Sequence, residues 1–144
     1  MNRPIIRSVV KGSNILTVFL LLASVLISVN ASAEWVNIGE NSRSMCYANT
    51  DIRRSGDIAV FWVMFDYKSI QESQRSGRRY LSEKSQYEID CKLECARVLF
   101  FTWHANQMGD GVVVYTSKKT TTWEPTSSPG GYGNLLWKFA CKKK

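Results

Sequence analysis

Four cysteines constrain this chain more than any other feature: Cys46, Cys91, Cys95 and Cys141, with none before position 46. They stand behind a leader. Arg3, Arg7 and Lys11 form a basic start, Ile15 to Val29 is an apolar run, and Ala31-Ser32-Ala33 is a small-x-small signature before Glu34. That order predicts a secretory signal peptide over residues 1–33, removed on export. The apolar run is short against the roughly 20 residues of a membrane-spanning helix. No cysteine follows it closely enough to carry a lipid, so the expected product is not a lipoprotein. Residues 34–144 are expected to form one soluble domain in the periplasm, at the cell surface or outside, with no integral membrane segment after cleavage. An even cysteine count in a small exported domain points to two disulfides.

Cys91 and Cys95 lie in the stretch YEIDCKLECARVLFF, Tyr87 to Phe101. On a continuous strand their Cα atoms would stand about 13 Å apart, beyond the roughly 7 Å that a disulfide tolerates. Each then needs a distant partner, and Cys46 and Cys141 remain. We favour Cys91–Cys141 with Cys46–Cys95; the exchanged pairing is the alternative. Closing a loop of about 50 residues contributes about 4 kcal/mol through the unfolded state. A metal centre would need Cys91, Cys95 and His104 to converge, and on one strand His104 has the opposite parity to both cysteines. Neither a metal nor a cofactor is expected.

The rest of the chain reads as strands joined by short turns. Residues 58–67, IAVFWVMFDY, are β-branched and aromatic without a breaker, which predicts a strand. Ile58, Val60, Trp62 and Met64 share one face; Ala59, Phe61, Val63 and Phe65 share the other. Both faces are apolar, so both should be covered. Ser55 to Asp57 reads as a turn and Gln71 to Arg79 as a polar hairpin loop. Tyr80–Asp90, Lys92–Trp103 and Val112–Thr116 read as further strands, the second with Leu99, Phe101 and Trp103 on one face and Val98 and Phe100 on the other. KKTTTW, residues 118–123, is expected to continue that last strand or pair at an edge. The period then changes: Tyr132, Leu135, Leu136, Phe139 and Ala140 recur at helical spacing. The expected fold is α+β, an antiparallel meander of about five to six strands with a C-terminal helix over 132–141 packed on it and held by a disulfide.

One short helix covers only part of one face. The other is expected to be covered by the segment around Trp35 or by a second copy in a homodimer. Charge narrows the partners. The chain's net +7 falls to +4 once the leader's three basic residues are removed, too mild for a dedicated nucleic-acid binder. Trp62, Phe101 and Trp103 read as core rather than as a stacking surface. Arg75, Arg78 and Arg79, with Arg53 and Arg54, form the candidate binding set, suited to an acidic protein segment, a sulfated glycan or lipid phosphate. The single histidine and the absence of any G-x-S-x-G, phosphate-loop or H-E-x-x-H motif argue against an enzyme.

An ordered set of stretches adds a family resemblance: WVNIGE at 35–40, DIRRSGDIAVFWVMFDYK at 51–68, SQYEIDC at 85–91, GVVVY at 111–115 and GNLLWKFAC at 133–141. Together they resemble the surface-adhesin protein E family of exported bacterial proteins. The resemblance implies an antiparallel sheet whose C-terminal helix is tied down by a Cys91–Cys141 disulfide. It also implies adhesion to host or extracellular proteins or glycans, often as a dimer. Cys46 and Cys95 are then an additional pair, and the lipid-anchor cysteine of a tethered adhesin is missing. A periplasmic accessory protein, binding another envelope component, is the alternative expectation.

Overall fold

The computed structural model describes residues 33–129 and 131–142. Residues 1–32, which hold nearly all of the expected leader, lie outside the described residues. Among the described residues no helix is long and apolar enough to cross a membrane.

The strands are β1 (Trp35–Glu40), β2 (Ser44–Asn49), β3 (Arg53–Ser55), β4 (Ile58–Glu72), β5 (Arg79–Asp90), β6 (Cys95–His104), β7 (Val113–Ser117) and β8 (Glu124–Pro125). They form one antiparallel sheet in the order β1-β2-β4-β5-β6-β7; β3 also pairs with β4, and β8 with β6. An α-helix, α1 (Gly133–Cys141), follows. The architecture is the expected α+β sheet with a C-terminal helix. It has eight strands because β3 and β8 are too short to announce themselves, and because β1 and β2 mix polar with apolar residues.

β4 organises the sheet. It runs on past the apolar stretch to Glu72, and Gly56, at φ +58°, supplies the tight turn from β3 that few other residues adopt. Ala59, Phe61, Val63 and Phe65 are buried beneath the helix side, where Cys46 and Ala48 of β2, Ile89 of β5 and Ala96 of β6 join them. α1 closes this core with Leu136 and Ala140, both fully buried. Burial of one leucine contributes about 2 kcal/mol. Phe139 packs on Phe61 at 5.7 Å and Tyr132 on Phe65 at 5.3 Å, ring centre to ring centre.

The Cys91–Cys141 disulfide is present, with Cα atoms 5.5 Å apart. The Cys46–Cys95 bridge is not: both are free thiols. The register explains why. Cys46 pairs with Phe65, whereas Cys95 pairs with Asp90, which pairs with Ile58. Seven positions of β4 separate the two levels, about 23 Å along the sheet. The premise of one extended strand through Cys91 also fails. Asp90 accepts hydrogen bonds at Oδ1 from the backbone N–H groups of Lys92 and Leu93, and Glu94 takes φ +52°. These features turn the chain between β5 and β6, as short Asp side chains do. Cys91 and Cys95 therefore flank a hairpin turn. Cys91 is joined to α1 instead.

The other sheet face has two parts. Near one end, Met64, Asp66, Ser82 and His104 are buried under the loop after β6. There Met108 N–H donates to Asp66 Oδ1 at 2.6 Å, and Gly109 N–H to Ser82 Oγ at 2.8 Å. Toward the other end, Ile58, Val60, Trp62 and Phe100 are only half-buried, and Trp62 meets Phe100 edge-on at 5.9 Å. Trp35, opposite Asn49 in the edge strand β1, lies on this same face, yet it leaves them half-buried. A bulge in β6 corrects the expected parity: Gln86 faces Phe100 while Tyr87 faces Val98, leaving Leu99 as the extra residue. Val98 thus joins Phe101 and Trp103 on the helix side. Residues 118–123 form no strand, but Thr121 pairs with Val98 by backbone and side chain, the edge contact expected of that stretch.

Candidate functional site

The candidate arginines do not form one patch. Arg53 and Arg54 lie in β3, opposite Val60 and Ala59 of β4; Arg79 lies opposite Glu72 at the far end of the same strand. Twelve positions of β4 between Val60 and Glu72 amount to about 40 Å. Arg54 is also engaged, since its guanidinium donates to the Ala140 carbonyl at the end of α1, where a cation offsets the helix dipole. Arg75, Arg78 and Arg79 do share the hairpin tip and are exposed. Arg78 Nη1 donates to the Val114 carbonyl of edge strand β7 at 2.5 Å. That leaves Arg75 and Arg79 pointing to no partner among the described residues.

Cys91 cannot ligate a metal while it is bonded to Cys141. Cys95 and His104 close opposite ends of β6, about 30 Å apart. His104 Nε2 lies 2.9 Å from Thr102 Oγ1. Burial, and then the Lys84 ammonium, hold its imidazole below the ordinary histidine range, against the Gly111 backbone and Asp110.

A more organised group of side chains lies on the helix side, beyond the reach of α1. Register places Glu83 of β5 between Phe65 of β4 and Trp103 of β6. Its carboxylate accepts from Ser85 Oγ at 2.5 Å and from Trp103 Nε1 at 2.9 Å. Aromatic rings enclose it. Tyr80 lies parallel to Trp103 at 4.3 Å, Tyr115 follows at 4.8 Å, and Tyr67 meets Tyr80 edge-on at 5.6 Å. Burial pushes the Glu83 carboxyl above the ordinary carboxylate range in spite of its hydrogen bonds. The Tyr67, Tyr80 and Tyr87 hydroxyls are all raised too, by burial first and then by Glu83. A cleft of about 260 Å³ opens onto Glu83 between the β1–β2 turn and α1, with Arg43 exposed at its rim. The sequence did carry a signal for Glu83: alternation puts it on the face of Tyr87 and Ile89, where a carboxylate is out of place.

These features sit on a family scaffold. The family model described as surface-adhesin protein E matches residues 35–142. The chain belongs to that family. Two solved structures of Haemophilus influenzae protein E, one of them of crystal form II, have a similar fold, each with a TM-score of 0.52 at 12% identity over 72% of this chain. The match covers 82% of one solved chain and 84% of the other. At that identity the likeness concerns the fold alone. No curated protein matches the sequence. The family assignment agrees with the resemblance read from the ordered stretches.

Proposed function

We propose that the protein is an exported, non-enzymatic binding protein of adhesin type. It contacts host or extracellular proteins or acidic glycans through its loops and the basic β4–β5 hairpin tip. The observation that carries this reading is membership of the surface-adhesin protein E family over nearly all of the described residues. The tip supports it physically. β4 carries Arg75 and Arg79 away from the helix-covered core, and exposed guanidinium groups attract acidic surfaces in a salt-dependent way. The test is binding of the mature protein to immobilised matrix proteins and heparin over a salt series. Binding should weaken with salt and fall when Arg75→Ala and Arg79→Ala are combined. Binding that ignores both, or no binding at low salt, rejects the reading.

A homodimer through the half-buried face of Ile58, Val60, Trp62 and Phe100 belongs to the same proposal. Exposed apolar area of this kind favours self-association. Sedimentation at micromolar concentration decides it; a clean monomer removes the dimer and leaves the adhesin reading intact.

One observation favours a second reading, a periplasmic protein that binds another envelope component. The cysteine nearest the leader, Cys46, is buried within β2 and offers no lipid attachment point. Cell fractionation separates the two: retention in the periplasm selects this reading, exposure to the medium selects the first.

A further inference from the structure

Glu83 is a desolvated carboxylate whose hydrogen bonds come from neutral donors, Ser85 and Trp103, with the Tyr67 hydroxyl as a third. The ion pairs among the described residues are Lys68–Glu40 and Arg97–Glu88, so none involves Glu83. A carboxylate taken out of water without a cationic partner is costly. Protons and cations are what such a group attracts, and a ring of aromatic side chains adds to the attraction for a cation. Its two oxygens have about four lone-pair sites, so acceptor capacity remains after these hydrogen bonds.

The cleft above it holds the opposite charge as well. Arg43 lines the same 260 Å³ cleft, yet it forms no ion pair with Glu83 and its guanidinium has no hydrogen-bond acceptor among the described residues. The other polar groups around the opening are already paired. Asn41 Oδ1 accepts from the backbone N–H groups of Arg43 and Ser44, and Tyr132 Oη donates to the Ser44 carbonyl at 2.8 Å. Phe65, Tyr67 and Tyr132 supply the walls. Two opposite charges, unpaired with each other, thus share one small cleft with aromatic sides.

We propose that this cleft binds a small zwitterion of the α-amino acid class, its ammonium group on Glu83, its carboxylate on Arg43 and its side chain against Phe65, Tyr67 and Tyr132. A ligand carrying both charges bridges the gap that the protein leaves open. Charge-assisted hydrogen bonds at each end fix its orientation. The cleft volume is at the small end for a ligand site, which suits a molecule of this size. The inference is independent of the hairpin tip and of any adhesive role.

The mature, oxidised protein is titrated with valine, butylammonium and butyrate. The indole N–H resonance of Trp103 is the reporter, since that group is bonded to Glu83. Valine and butylammonium should shift the resonance in a saturable way at concentrations up to about 10 mM; butyrate should not. Glu83→Gln should weaken both by about tenfold or more, as loss of a charged hydrogen-bond partner does. Arg43→Ala, at an exposed position, should weaken valine several-fold and leave butylammonium unchanged. No shift with valine or butylammonium in the folded protein overturns the proposal. Equal binding by Glu83→Gln overturns it too. If Glu83→Gln does not fold, the Arg43→Ala comparison decides: equal loss for valine and butylammonium, or loss for neither, overturns the zwitterion assignment.

Discussion

The two halves of the helix-side face solve one problem in different ways. Around Phe61 and Val63 the sheet is covered by a separate element, α1, held at its C-terminal end by a disulfide and by the Arg54 hydrogen bond. Around Glu83 and Trp103 the helix does not reach, and the sheet covers itself with its own rings. A covering helix buries small residues such as Ala48, Ala59 and Ala140 completely. Self-covering by large rings leaves crevices, and a carboxylate sits in one. The first half is built for stability. The second trades tight closure for a carboxylate that lines a cleft.

The comparison is broken most severely by removing the clamp. Cys91→Ala with Cys141→Ala should lower stability by about 4 kcal/mol in chemical denaturation, from the entropy returned to the unfolded chain. Amide exchange should then rise first in α1, while the Trp103 indole N–H remains protected until global unfolding. Equal early loss in both halves would mean that they form one cooperative unit.

The converse change is Trp103→Ala. It removes the stack with Tyr80 and a donor to Glu83, and should cost about 3 kcal/mol, the lower part of the range for large aromatic truncations. α1 exchange should stay as it was relative to the new global stability.

Gly133→Ala sharpens the helix half. Alanine is the better helix former by about 1 kcal/mol. A Cβ at this position, however, would meet the Thr126 carbonyl oxygen at 2.6 Å, and that atom is backbone. The clash should win, giving a net loss of about 2 kcal/mol by thermal or chemical denaturation.

The smallest effect comes from the other sheet face. The His104 pKa is lowered in the fold, so the unfolded chain takes up a proton first as pH falls. Stability should therefore decline from about pH 6.5 downward and level off below the folded-state value. His104→Gln should remove that slope. An unchanged pH profile would place the titration elsewhere.

The parts that were legible in the sequence were those set by composition and local period. β4 announces itself through ten residues without a breaker, and α1 through the spacing of Leu136, Phe139 and Ala140. The Cys91–Cys141 pairing was favoured from the residues with its exchange left open, and the family resemblance implied it; the bridge is present. Register was not readable. The bulge that frees Leu99 shifts Val98 to the opposite face, and nothing in RVLFF marks it. The turn at Cys91 depends on one Asp90 side chain. The five arginines looked close because sequence distance hides the length of β4, which continues to Glu72 through polar residues. Glu83 was overlooked because Trp103, which bonds it, and Arg43, which shares its cleft, come from another strand and from a turn.

The disulfide also changes what a protease can accomplish. Lys118 and Lys119 are exposed in the connection between β7 and β8, inside the segment that the bridge closes. A cut there leaves two pieces still covalently joined, so the molecule migrates as one until it is reduced. Wherever proteases are a routine hazard, a single nick in that connection leaves the molecule in one piece.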